Sequence, residues 1–127
     1  MAGILLIDDD ARLRRLLGRI LKGAGHTVHE AANGREGIEV FGRTHPALVI
    51  TDLVMPDKEG IETIRELHQT APTVPILAIS GSTNHSIYLR AATKLGATEA
   101  LDKPFSNEEL LATVTRLLKT TRGPFAD

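Results

Sequence analysis

The 127 residues are 42% hydrophobic, enough to close one core but not to house a second catalytic domain. Lys and Arg number 15 against 16 Asp and Glu, and the formal charge of -1 excludes any global attraction to nucleic acid or an anionic membrane. With no cysteine, disulfides, thiolate catalysis and cysteine-bound metal are excluded, and a reducing compartment suits the composition.

The chain opens on the apolar run Gly3-Ile4-Leu5-Leu6-Ile7, which meets three aspartates at once. That run is too short for a signal-peptide core or a bilayer span, so the expected protein is soluble, cytoplasmic and not inserted in a membrane. Short continuous apolar runs recur at Ala47–Ile50 and Ile76–Ile79, as in strands buried on both faces of a parallel sheet. Thr27-Val28-His29 and Ala97–Leu101 are weaker strands suited to sheet edges. Between the strands lie amphipathic stretches. Leu13, Leu16, Leu17, Ile20, Leu21 and Ala24 recur at helical spacing and stop at Gly25. A second helix follows Asn33-Gly34 with Ile38 and Phe41 inward, and a third carries Ile61, Ile64 and Leu67 as far as the Pro72 break. A fourth is placed around Ile87 to Leu95. The last opens on Ser106-Asn107-Glu108-Glu109, a capping box in which the serine hydroxyl and the second glutamate satisfy free backbone N–H groups. Leu110, Leu111, Val114, Leu117 and Leu118 form its buried stripe.

Five strands alternating with five helices, joined by right-handed crossovers, predict an α/β domain: a doubly wound five-stranded parallel sheet in the order 2-1-3-4-5. The domain is expected to span residues 1–121, with 122–127 as a short tail. In such a sheet, ligands bind outside the carboxyl ends of the strands. Asp8, Asp9 and Asp10 follow the first strand, Thr51 and Asp52 the third, Ser80 the fourth, and Asp102 and Lys103 the fifth.

Clustered carboxylates resist ionising together and call for a cation. Mg²⁺ suits them, since it accepts one or two carboxylates and keeps positions for water and phosphate oxygens. The five histidines share no metal-ligand spacing and read as structural. In phosphoryl transfer, Asp52 is then the nucleophile, Asp9 and Asp52 hold the ion directly, and Asp8 holds it through water. Lys103 places a point charge on a phosphoryl oxygen and Ser80 donates a hydrogen bond to the group. Asp10 reads as a helix N-cap, and Arg12, Arg14, Arg15 and Arg19 as the wet face of the first helix.

Four motifs in order carry a family resemblance: Ile4–Asp9, Val49–Pro56 with Gly60, Ile79-Ser80-Gly81, and Asp102-Lys103-Pro104-Phe105. With these motifs the chain resembles the receiver domains of two-component response regulators, as a stand-alone receiver with the flavodoxin-like fold. The resemblance implies that Asp52 is the phosphoacceptor, that Asp8 and Asp9 form the acidic pair, and that the Val54 carbonyl joins the metal ligands. It implies a phosphohistidine donor on a sensor histidine kinase or histidine phosphotransfer protein and a cis Lys103–Pro104 bond; the near-neutral charge leads us to expect no direct nucleic-acid contact, and with no output domain in these residues the effect is expected to pass through a downstream protein partner or a self-dimer. On this reading the chain catalyses only its own phosphorylation and dephosphorylation and is not an enzyme with turnover.

Two positions depart from the family pattern. Ala100 stands where an aromatic usually rotates inward, so the signal is expected to travel through the loop Gly81 to Ser86 and the helix after it. Lys58 stands where an apolar residue is common, and is expected to be exposed. Three alternatives remain on sequence grounds. A haloacid-dehalogenase-type phosphatase shares the chemistry, but its nucleophile lies on the first strand and a late acidic pair is missing here. A receiver-like module that signals without phosphate is the second. A Rossmann or flavin role is the weakest, with no glycine-rich loop after the first strand.

Overall fold

In the computed structural model, the described residues are 3–52, 59–80 and 93–122. Five parallel strands form one sheet in the order β2-β1-β3-β4-β5: β1 Gly3–Ile7, β2 Thr27–Ala31, β3 Leu48–Asp52, β4 Ile76–Ser80 and β5 Glu99–Asp102. Four helices are described: α1 Ala11–Gly23, α2 Gly34–Thr44, α3 Glu59–Thr70 and a C-terminal helix Asn107–Arg122. The helix expected around Ile87 to Leu95 lies outside the described residues except at 93–95, which are helical.

Because side chains alternate across a strand, each apolar run feeds two layers. Leu5, Ile7, Val49, Ile76 and Ala78 pack on one face with Val40 and Phe41 of α2 and Ile64 and Leu67 of α3. Ile4, Leu6, Leu48, Ile50, Leu77 and Ile79 pack on the other with Leu17 and Leu21 of α1 and Leu110, Val114 and Leu117 of the C-terminal helix. The strands read as unbroken apolar stretches for this reason: both faces are covered.

Local chemistry sets the helix ends. Asp10 caps α1, its side chain accepting from the Arg12 and Leu13 amides at 3.0 and 3.2 Å, and Gly25 follows the helix with φ +97°. Asn33 caps α2 by accepting from the Glu36 amide. The Ser106 capping box closes in both directions, at 3.0 and 3.1 Å.

Several expectations shift by a few residues. β3 and β4 run on to Asp52 and Ser80, so these residues stand within the strands rather than after them; the parallel ladder continues through Asp52↔Ile79 and Ser80↔Asp102. Leu16, expected on the buried face of α1, is 53% exposed. At about 100° per residue it stands a quarter-turn or more from Leu17, at the margin of the sheet-facing stripe. Ala24, also expected inward, is exposed at the helix end. The C-terminal helix runs through Arg122, one residue into the expected tail.

Candidate functional site

The carboxyl ends of β1, β3 and β5 bring the charged residues to one rim. Asp8 directly follows β1 and is 1% exposed. Its amide donates to the Ala31 carbonyl of β2 at 3.1 Å, and its Oδ1 accepts from the Asp10 amide at 2.9 Å. Asp9 is exposed beside it. Asp52 ends β3 and is 6% exposed. One carboxylate oxygen from each of Asp8, Asp9 and Asp52 lies within 4.8 Å of the others.

Across the rim, the Lys103 Nζ lies 3.5 Å from Asp52 Oδ2. The Lys103 amide donates to the Ser80 carbonyl at 2.8 Å, which ties the residue to the end of β4; its peptide bond to Pro104 is cis, as the resemblance implied. Ser80 is fully buried at the end of β4. Val54 lies outside the described residues, as do Lys58 and the loop Gly81 to Ser86.

The electrostatics of the cluster are unbalanced. Burial raises the Asp8 carboxyl from its ordinary 3.8 to about 6; the Asp52 carboxylate adds to the rise, while the Asp10 amide and the Lys103 amine oppose it. Among the described residues, one ammonium, that of Lys103, therefore faces three carboxylates, two of them buried, and burial makes Asp8 reluctant to ionise. A set of oxygen donors with surplus negative charge fits a hard divalent cation such as Mg²⁺ and offers a soft metal no sulfur or nitrogen.

The sequence from residue 4 to 115 matches the response regulator receiver domain family. The chain belongs to that family. Among curated relatives, the response regulator MprA of Mycolicibacterium vanbaalenii is 37% identical over 118 residues, covering 93% of this chain and 51% of the relative. The chain thus spans about half the length of the curated relatives it matches. Among solved structures, a response regulator receiver domain protein of Clostridium thermocellum aligns with a TM-score of 0.89 at 27% identity, over 96% of this chain and 98% of that one. The chemotaxis protein CheY4 of Vibrio cholerae aligns with a TM-score of 0.84 at 31% identity, over 92% of this chain and 98% of that one. This receiver therefore has the CheY-like, flavodoxin-type arrangement expected, and no described helix is long and apolar enough to cross a membrane.

Two further residues of the receiver stand out. Ala100 of β5 is half-buried and packs against the apolar cluster of the α2–α3 face. Arg14 differs from the other arginines of α1, which are exposed. Its Nε donates to Glu30 Oε1 of β2 at 2.9 Å and its guanidinium to the Asp8 carbonyl oxygen at 2.6 Å. Grouping it with a wet face overlooked a signal in the spacing. At about 100° per residue, Arg14 lies only about 60° from Leu17, on the sheet-facing side, whereas Arg12, Arg15 and Arg19 lie about 140° or more away.

Proposed function

We propose that this receiver accepts a phosphoryl group on Asp52 from a phosphohistidine, with Mg²⁺ held by the Asp8, Asp9 and Asp52 cluster. The observation supporting this most directly is the convergence of the three carboxylates within 4.8 Å, with the Lys103 Nζ 3.5 Å from Asp52 Oδ2. The Asp52 carboxylate forms the new O–P bond as the P–N bond to the donor imidazole breaks. Lys103 presents a fixed positive charge to a phosphoryl oxygen and Ser80 donates a hydrogen bond to another; by the family resemblance, the Val54 carbonyl would be a further metal ligand. A bound Mg²⁺ supplies charge neutralisation of the transferring oxygens. Little covalent work remains for the protein, which acts on its own side chain and turns over no separate substrate.

The donor on this reading is a sensor histidine kinase or a histidine phosphotransfer protein in the cytoplasm, and the output is a contact with a downstream protein. On this reading the receiver function lies within residues 1–121, the span expected from the sequence, and the last helix continues to Arg122. Since Ala100 has no ring to rotate, we assign signal propagation to the segment Gly81 to Ser86 and the helix after it. Intact-mass analysis with acetyl phosphate tests the chemistry: one phosphoryl adduct forms with Mg²⁺, none with EDTA, and none in Asp52→Asn. An adduct that persists in Asp52→Asn but vanishes in Asp8→Asn would move the nucleophile to the first strand. A wild-type protein that takes no phosphoryl group would favour a receiver-like module that signals without phosphate, to which Ala100 lends some support.

A further inference from the structure

We infer that Arg14 is a positioning residue that sets the direction of the Asp8 and Asp9 carboxylates through the backbone of the β1–α1 turn. The inference rests on the metal-dependent reading of the acidic cluster above. Asp8 is held at three points, each from a different part of the chain. Its amide is fixed by Ala31 of β2, its Oδ1 by the Asp10 amide, and its carbonyl by the Arg14 guanidinium of α1. The carbonyl of Asp8 belongs to the peptide that leads into Asp9, so the same hydrogen bond orients both acidic residues.

Arg14 is itself anchored. Glu30 takes its Nε at 2.9 Å, and the Arg14 side chain is 15% exposed, so the guanidinium is largely withdrawn from water between two partners. Gly18 of α1 lies beside the same carboxylate, close enough that a Cβ there would just touch Glu30 Oε2, at 3.4 Å. A planar fork with several donors bridges a carboxylate and a carbonyl at once; a single ammonium holds one direction less firmly. Groups that orient metal ligands typically change affinity by about 10–100-fold when removed.

The sign of the effect separates positioning from simple charge. Removing the cation bonded to the Asp8 carbonyl makes the surroundings of the cluster more negative, and by Coulomb attraction alone Mg²⁺ would bind more tightly. Loss of orientation predicts the reverse. The test is Mg²⁺ titration of the full chain by calorimetry and NMR, comparing wild type with Arg14→Met, Arg14→Lys, Glu30→Gln and Arg116→Met. Arg116 of the C-terminal helix makes a bidentate pair with Glu99 of β5 and reports the effect of losing an ion pair elsewhere.

Arg14→Met should raise the Mg²⁺ dissociation constant about tenfold. Arg14→Lys should recover part of that loss, Glu30→Gln should weaken binding severalfold, and Arg116→Met should leave it unchanged. Without metal, exchange of the Asp10 amide should be faster in Arg14→Met. A folded Arg14→Met that binds Mg²⁺ as well as wild type, or better, overturns the inference. Should that variant not fold, unchanged affinity in both Arg14→Lys and Glu30→Gln does the same. Wild type that binds no Mg²⁺ overturns the metal reading instead; Asp10 exchange then decides on Arg14, with no change counting against it.

Discussion

At the scale of single residues, Asp8 is where folding and function pull in opposite directions. In the metal-free folded chain its carboxyl holds a proton up to about 6, against 3.8 when unperturbed. Between those values the folded state binds more protons than the unfolded one, so this group's contribution to stability falls as pH rises through the window and is constant outside it. The shift corresponds to on the order of 3 kcal/mol at neutral pH. Asp8→Asn keeps an oxygen for the Asp10 amide but cannot ionise. In EDTA it should therefore be more stable than wild type at pH 7, by roughly 1–3 kcal/mol, and the gap should close by pH 4; urea melts at the two pH values check this. A carboxylate holds the ion, directly or through water, in its deprotonated form, so wild-type Mg²⁺ affinity should decline below about pH 6, by up to about tenfold per pH unit. Asp52→Asn removes one of the charges that raise Asp8, and a carboxyl NMR titration should find Asp8 titrating at lower pH in that variant.

At the scale of elements, the helix ends were legible because caps are local chemistry. Asp10, Asn33 and the Ser106–Glu109 box all make the bonds their residue types announce. Asp10→Ala should cost about 1 kcal/mol by chemical denaturation without altering the sheet. Strand ends were less legible. Polar Thr51, Asp52 and Ser80 broke the apolar pattern used to bound β3 and β4, yet they continue the ladder because neighbouring strands supply their hydrogen-bonding partners. The turn before β5 shows a contact that the sequence could not announce. Gly96 has φ +132°, and a Cβ there would fall 2.4 Å from His68 Cβ of α3. Gly96→Ala meets both the backbone strain and the clash, and should lower stability by about 2 kcal/mol or more, read as a fall in the denaturation midpoint.

At the scale of the whole receiver, the acidic cluster is assembled from the loop after β1 and the end of β3, with Lys103 brought in from beyond β5. A ligand that binds only this assembled state stabilises the fold by mass action, about 2.7 kcal/mol at a hundred times its dissociation constant. Thermal melts at saturating Mg²⁺ should therefore rise by several degrees in wild type and much less in Asp9→Asn. A rise of equal size in both would separate the stabilisation from the cluster. Fold class, strand order and the chemical cast of the site came from the sequence itself, because buried parallel strands must be apolar throughout and side chains at their carboxyl ends share one rim. The tertiary structure alone decided the rest. It buried Asp8 enough to move its titration, turned Leu16 outward, and drew Arg14 out of an apparently solvated row onto Glu30 and the Asp8 carbonyl. Each depends on which surface lies opposite a given residue, and that is fixed only when distant strands and helices meet.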